Sequence, residues 1–158
     1  MPFAAKFRTS FAVLGIETDD RAVTAIRYLP SHERASAPRT PIAKRAVGEL
    51  ERYFDDPSFR FTLPLAPCGT AFQRRVWDAI AAIPVSESRT YLEIARVVRS
   101  SARAVGGACG ANRIALVIPC HRVVGSRGTL GGFMNAVQGE GIAIKRWLLL
   151  HEGYRFGA

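Results

Sequence analysis

Apolar positions recur along the first part of the chain with two different periods. Phe11-Ala12-Val13-Leu14-Gly15-Ile16 and Ala22-Val23-Thr24-Ala25-Ile26-Arg27-Tyr28-Leu29 are runs rich in apolar and β-branched residues. Asp19-Asp20 between them supplies turn chemistry, so the pair predicts a hairpin. Ser31 to Arg39 is polar and loop-like. The period then changes: Ile42, Ala46, Val47, Leu50 and Phe54 follow at helical spacing. Thr40 precedes them as an N-cap, Pro41 fits the first helical position, and Asp55-Asp56-Pro57 ends the run. Phe59-Arg60-Phe61-Thr62-Leu63 alternates and predicts a further strand. A sheet with one helix packed on it is the expected first unit.

Pro64-Leu65-Ala66-Pro67 reads as a stiff linker, which divides the chain into 1–66 and 67–158. Short helices follow. Thr70-Ala71-Phe72-Gln73 and Thr90-Tyr91-Leu92-Glu93 are capping-box patterns. The first opens a stripe of Phe72, Val76, Ile80 and Ile83 that Pro84 stops; the second opens a helix to Val98. After Arg99-Ser100-Ser101 comes a segment of small residues, Ala102 to Asn112, with three internal glycines. Each glycine costs ~1 kcal/mol of helix propensity relative to Ala, but the resulting helix admits close approach. Two short helices across such a turn predict a helix-turn-helix, with Arg103 on the first turn of the second helix. The last helix, Ile142 to His151, ends at Glu152-Gly153, with Gly153 as its cap. The expected fold is therefore α+β: a small N-terminal sheet-plus-helix domain, then a mainly helical domain with a winged-helix-like helix-turn-helix.

Charge sharpens this division. The net charge is +9, and 19 of the 22 basic residues are Arg. Residues 1–70 hold 10 Lys+Arg against 8 Asp+Glu; residues 71–158 hold 12 against 5. An Arg-rich second half fits phosphate, with nucleic acid the leading partner. Solubility charge on a solvated face is the plainer alternative, and an Ala/Gly helix buried among its neighbours is the plainer reading of 102–112. The asymmetry together with Arg103 favours DNA. No apolar run approaches the ~20 residues of a membrane span, and no signal-peptide layout opens the chain. Cys68, Cys109 and Cys120 make neither a disulfide framework nor a Cys-x-x-Cys pair, and with three His they lack zinc spacing. An odd free thiol fits a reducing compartment, with the cytoplasm as the expected location.

The candidate chemistry lies at Ile118-Pro119-Cys120-His121-Arg122-Val123. Ala115-Leu116-Val117-Ile118 predicts a short buried strand that Pro119 must end. Cys120 would then emerge from a core beside a histidine and an arginine, a setting that favours thiolate. A buried structural cysteine is the alternative, and at this stage the two stand even. Glu152 sits unfavourably at a helix C-terminus, which points to a specific partner, His121. Nucleophile, base and carboxylate are then all present.

These residues resemble the active-site motif of the O6-alkylguanine-DNA alkyltransferases, also called methylated-DNA–protein-cysteine methyltransferases. The resemblance runs through 69–77, Thr90-Tyr91, Glu93-Ile94-Ala95, Ala102 to Gly106, Asn112, 145–149 and 151–153. It implies direct-reversal repair, with Cys120 taking the alkyl group from O6 of a flipped guanine as a thioether, once per molecule. It implies a thiolate relay through His121, a water and Glu152, proton donation by Tyr91, and a tie from Asn112 to the active-site segment. Arg103 would fill the flipped nucleotide's space. Ala102, Ala104, Gly106 and Gly107 would face the minor groove, and Thr90, Arg113 and Arg122 would also contact DNA. Val123, Phe133, Met134 and Lys145 would line the substrate pocket, whose wall from Phe133 to Lys145 is several residues longer than in relatives. The carbonyls of Cys120 and Val123 would accept the guanine amine. The implied partner is duplex DNA carrying O6-alkylguanine, with O4-alkylthymine a further candidate. No cofactor, metal or membrane is implied, and a monomer is expected, with cooperative assembly on DNA open.

Two other functions compete. Alkyltransferase-like lesion binders share the scaffold but carry Trp at the reactive position, where this chain has Cys120. A cysteine hydrolase using Cys120 and His121 would turn over and would not need a basic helix-turn-helix. Residues adjacent in sequence point to opposite sides of a strand end, so a contact through water is expected over a direct one.

Overall fold

The computed structural model describes residues 3–126, 129–130 and 140–156. It divides into two compact units, one of residues 1–68 with 113–115, the other of 69–112 with 116–158. The linear division expected at the proline linker lacks the short return of 113–115.

The first unit is an antiparallel meander, β1 (Ala5–Arg8), β2 (Val13–Thr18) and β3 (Val23–Leu29), with helix α1 (Pro41–Asp55) against it. The predicted hairpin forms, with Val13 opposite Leu29 and Ile16 opposite Ile26. Asp19 builds its turn by accepting from the backbone N–H groups of Arg21 and Ala22 at 2.7 and 2.8 Å. β1 escaped the sequence reading because Lys6-Phe7-Arg8 presents no continuous apolar face; its pairing with β2 decides the matter. Helix α1 starts where its caps dictate: Thr40 Oγ1 accepts from the Ala43 N–H at 3.0 Å. Its Ala43, Ala46, Leu50 and Tyr53 are buried with Val13, Leu14 and Ile16. Each such large apolar side chain contributes ~1.5–3 kcal/mol by burial.

The strand expected at 59–63 does not form. Side chains hold that stretch instead of a ladder: Phe61 packs on Tyr53 at 5.4 Å, and Thr62 donates to Glu49 from both backbone and hydroxyl. Alternation there reflects two aromatic contacts, not sheet pairing.

The second unit contains α2 (Ala71–Ala81), β4 (Arg89–Thr90), α3 (Tyr91–Val98), α4 (Ala102–Gly110), a 3₁₀ turn (Cys120–Arg122), β5 (Val123–Val124) and α5 (Glu140–His151). Both capping boxes are present, Thr70 with Gln73 and Thr90 with Glu93. Helix α3 ends with Arg99 in the left-handed region at φ 57°, and its N–H caps the Ala95 and Arg96 carbonyls. Ser101 then caps α4 by accepting from the Ala104 N–H at 3.1 Å, which completes the helix-turn-helix. Val105 and Ala108 are buried, and the Trp77 indole donates to the Ala108 carbonyl at 2.9 Å. Gly153, at φ 84°, closes α5 as expected.

The strand expected at 115–118 is also absent. Ile114 makes a single bridge to Ile26, the chain turns at Leu116 with φ 74°, and Cys120 opens the 3₁₀ turn. Four apolar residues were too few to tell a buried strand from a buried turn. The short β5 that follows pairs with β4 in parallel, Arg89 beside Val123 and Thr90 beside Val124.

Candidate active site

Pro119 ends the approach, and the tight turn beyond it buries both Cys120 and His121. Asn112, just beyond the end of α4, donates from Nδ2 to the Ile118 carbonyl at 3.0 Å and to Cys120 Sγ at 3.3 Å. The helix-turn-helix is thereby tied to the cysteine by one side chain.

Behind the cysteine lies a buried charged network. His121 Nε2 meets Glu152 Oε2 at 2.8 Å. Arg122 grips the same carboxylate with two donors, Nε at 2.8 Å and Nη2 at 3.0 Å, and gives Nη1 to the Ile83 carbonyl at 2.7 Å. Burial alone would raise the Glu152 pKa, but the hydrogen bonds and charges of His121 and Arg122 outweigh it and bring it to about 2. Burial also depresses the His121 pKa, against the pull of Glu152. The ring is therefore neutral, and with Nε2–H donating to the carboxylate, Nδ1 is left as an acceptor. Nδ1 is buried with no hydrogen-bonding group among the described residues.

The thiol of Cys120 is pushed well up, first by a hydrogen bond shared with Cys109, then by burial; Asn112 and Lys145 oppose the shift. The resting group is a thiol that must lose a proton to react. Lys145 is fully buried, donates to the Val123 carbonyl at 2.6 Å and lies 5.6 Å from the Tyr91 ring centre. Burial lowers its pKa to about 8. Tyr91 goes the other way: burial and the neighbouring sulfurs raise it, so its hydroxyl keeps its proton. The Val123 carbonyl serves Lys145 and the Cys120 carbonyl serves the Val123 N–H; each retains a second lone pair.

The expected residues thus assemble unevenly. Cys120, His121, Glu152, Asn112, Val123, Lys145 and Tyr91 converge. Arg103 and Gly107 are exposed and Ala102, Ala104 and Gly106 half-buried on α4; Thr90 is half-buried at its cap. Arg113 is exposed and belongs to the first unit, where its carbonyl accepts from the Ile26 N–H. Arg122, expected on DNA, has its guanidinium engaged with Glu152 and Ile83, because a buried carboxylate needs a fork of donors. Phe133 and Met134 lie outside the described residues. Among the described residues, no group of three or more His, Cys, Asp or Glu is placed to hold a metal ion. Sequence reasoning missed Cys109. Its place at the end of an Ala/Gly-rich helix carried no signal of this kind.

A helix-turn-helix whose second helix leads into a buried cysteine, backed by a histidine–glutamate pair, defines a DNA-directed cysteine site. Residues 71–154 match the family described as 6-O-methylguanine DNA methyltransferase, DNA binding domain. The chain belongs to the methylated-DNA–protein-cysteine methyltransferase family. It is 34% identical to such a protein of Methanosarcina acetivorans, over 96% of this chain and 98% of that one. The fold is similar to that of Mycobacterium tuberculosis OGT, solved in complex with DNA: TM-score 0.79, 37% identity, 93% of this chain and 90% of that one. A further structure, the Mycobacterium tuberculosis O6-methylguanine methyltransferase, gives TM-score 0.80 at 34% identity over 97% and 94% of the two chains.

Proposed function

We propose that this chain repairs O6-alkylguanine in duplex DNA by moving the alkyl group irreversibly to Cys120 Sγ. The observation that carries this reading is the Asn112 bridge, which joins the end of the helix-turn-helix to the sulfur. DNA bound to α4 would then lie beside the cysteine that accepts the group.

The target oxygen is unreachable in a stacked duplex, so the nucleotide must be extruded. Arg103, exposed on the first turn of α4, takes its place in the stack, while the small residues Ala102, Ala104, Gly106 and Gly107 let the backbone approach the groove. Thr90 and Arg113 add contacts to DNA. The Cys120 proton passes through a water to His121 Nδ1, and the resulting imidazolium is held by Glu152. Sγ attacks the alkyl carbon, the C–O6 bond breaks, and the electron pair stays on guanine. Tyr91, whose hydroxyl keeps its proton, donates toward N3. The Cys120 and Val123 carbonyls take the guanine amine on their free lone pairs, with Lys145 supporting the latter. No step requires a cofactor. The odd set of free thiols supports action in the cytoplasm, and the chain acts as a monomer on its lesion.

Intact mass after incubation with O6-methylguanine duplex tests the reading. The protein gains one methylene, mapped to Cys120. Cys120→Ser gains nothing and keeps its DNA affinity, because phosphates dominate binding. Methyl on Cys68 or Cys109 would overturn it.

A further inference from the structure

We infer that Arg75, on α2, is a positioning residue for DNA binding: it fixes the turn of the helix-turn-helix, and through that turn the direction of α4, without contacting phosphate itself. This rests on the reading that α4 is the helix laid against DNA. A charge count would place Arg75 on the phosphates with Arg74, since both side chains are exposed on α2. Geometry separates them. Arg75 Nη2 donates to the Val98 carbonyl at 3.0 Å, and Arg75 Cζ stands 5.5 Å from the centre of the Phe72 ring. Phe72 lies one turn earlier on the same helix face, so its ring steadies the guanidinium while the fork reaches α3.

Val98 is the last residue of α3, and the final carbonyls of a helix have no partner within it. A cationic donor there satisfies one of them and suits the negative end of the helix dipole. The peptide that Arg75 grips is the one that makes the turn. Its carbonyl belongs to Val98 and its N–H to Arg99, which donates to the Ala95 and Arg96 carbonyls. Both ends of one planar unit are therefore held. Arg99 leaves that unit at φ 57°, in the left-handed region that a residue with a Cβ enters at a cost. The Ser100 N–H then closes back on the Ala95 carbonyl at 2.9 Å, and Ser101 caps α4.

Helix α4 is also held near its other end. Trp77, again from α2, donates to the Ala108 carbonyl at 2.9 Å. Helix α2 thus reaches both helices of the unit, α3 through Arg75 and α4 through Trp77. With the far end of α4 fixed by Trp77, the turn decides where its N-terminus points, and Arg103 sits there. Without the Arg75 bond the turn relaxes and the N-terminus of α4 drifts. Binding weakens even though every phosphate contact is still available.

The test compares Arg75→Met, which keeps a long stem and good helix propensity, with Arg75→Lys, which keeps a charged donor. Amide hydrogen exchange of the free full chain reads the turn, and titration of duplex DNA at several salt concentrations reads binding. In Arg75→Met the Arg99 and Ser100 amides exchange about 3–10-fold faster, the range that one hydrogen bond's net contribution spans. DNA binds more weakly by a similar factor at every salt concentration, while the slope of log K against log salt stays that of the unaltered chain. Arg75→Lys recovers most of both losses. A slope shallower by about 0.9 in Arg75→Met would overturn the proposal, because it marks a lost phosphate contact. Unchanged exchange at Arg99 and Ser100, or faster exchange with unchanged affinity, would overturn it as well. The exchange readout needs no DNA, whereas a failure of the repair reading would show as absent alkyl transfer by the unaltered chain.

Discussion

Glu152 carries a large electrostatic consequence for a single residue. Its pKa is about 2 in the folded chain against an ordinary 4.5, so the folded state resists taking a proton that the unfolded state accepts. The sign follows. The stabilisation is complete above pH 4.5 and is lost as pH falls toward 2, and 2.5 units correspond to about 3 kcal/mol. His121, depressed by burial, adds loss in the same direction on acidification below its ordinary value of 6.5. Glu152→Gln should cost ~3–5 kcal/mol at pH 7, because Arg122 is left buried without its carboxylate. The deficit should shrink as pH falls from 4.5 to 2. Urea midpoints for both proteins across that range check it, and a constant deficit would mean that Glu152 is not the titrating group. At this scale much was legible. A glutamate at the wrong end of a helix advertised a partner, and His121 was the partner. Arg122 was expected on DNA from the resemblance, and nothing in sequence reveals that Glu152 takes its guanidinium as well as the His121 ring.

Helix boundaries were readable because caps are local chemistry. Thr40, Thr70 and Thr90 each name their helix start in a few residues, and each accepts the backbone N–H expected of it. The stretches at 59–63 and 115–118 failed because pairing depends on distant partners, and a short apolar run carries no record of them. Helix α4 supplies the prediction at this level. A Cβ added at Gly106 or Gly107 meets nothing within 4 Å, and neither glycine has positive φ. Replacement by Ala should therefore stabilise the free protein by up to ~1 kcal/mol per site through helix propensity. The same methyl groups should weaken binding to duplex DNA if this face enters the groove. Thermal melts and DNA titrations of Gly106→Ala and Gly107→Ala separate the two effects. Higher stability with unchanged affinity would remove this face from the interface.

At the scale of the whole molecule, the formal charge of the second half overstates what DNA can use. Arg122 is neutralised internally, whereas Arg74, Arg99 and Arg103 are exposed. With ~3–5 phosphates engaged, log K should fall against log salt with a slope of about −3 to −4.5. Charge reversal at Arg74 or Arg99 should weaken binding, and reversal at Arg21 or Arg34 in the first unit should leave it nearly unchanged. Fluorescence titrations at several salt concentrations measure this, and a flat dependence would exclude phosphate as the anchor. The return of 113–115 to the first unit has a consequence in time. Ile26 exchanges main-chain hydrogen bonds with Arg113 and Ala115, so β3 lacks these bonds until those residues leave the ribosome. All of 69–112 must be synthesised in between, a wait of several seconds at ~5–20 residues per second. The N-terminal unit is thus made first but completed only partway through synthesis of the second, and the tripeptide that completes it immediately follows Asn112, the residue that holds the cysteine.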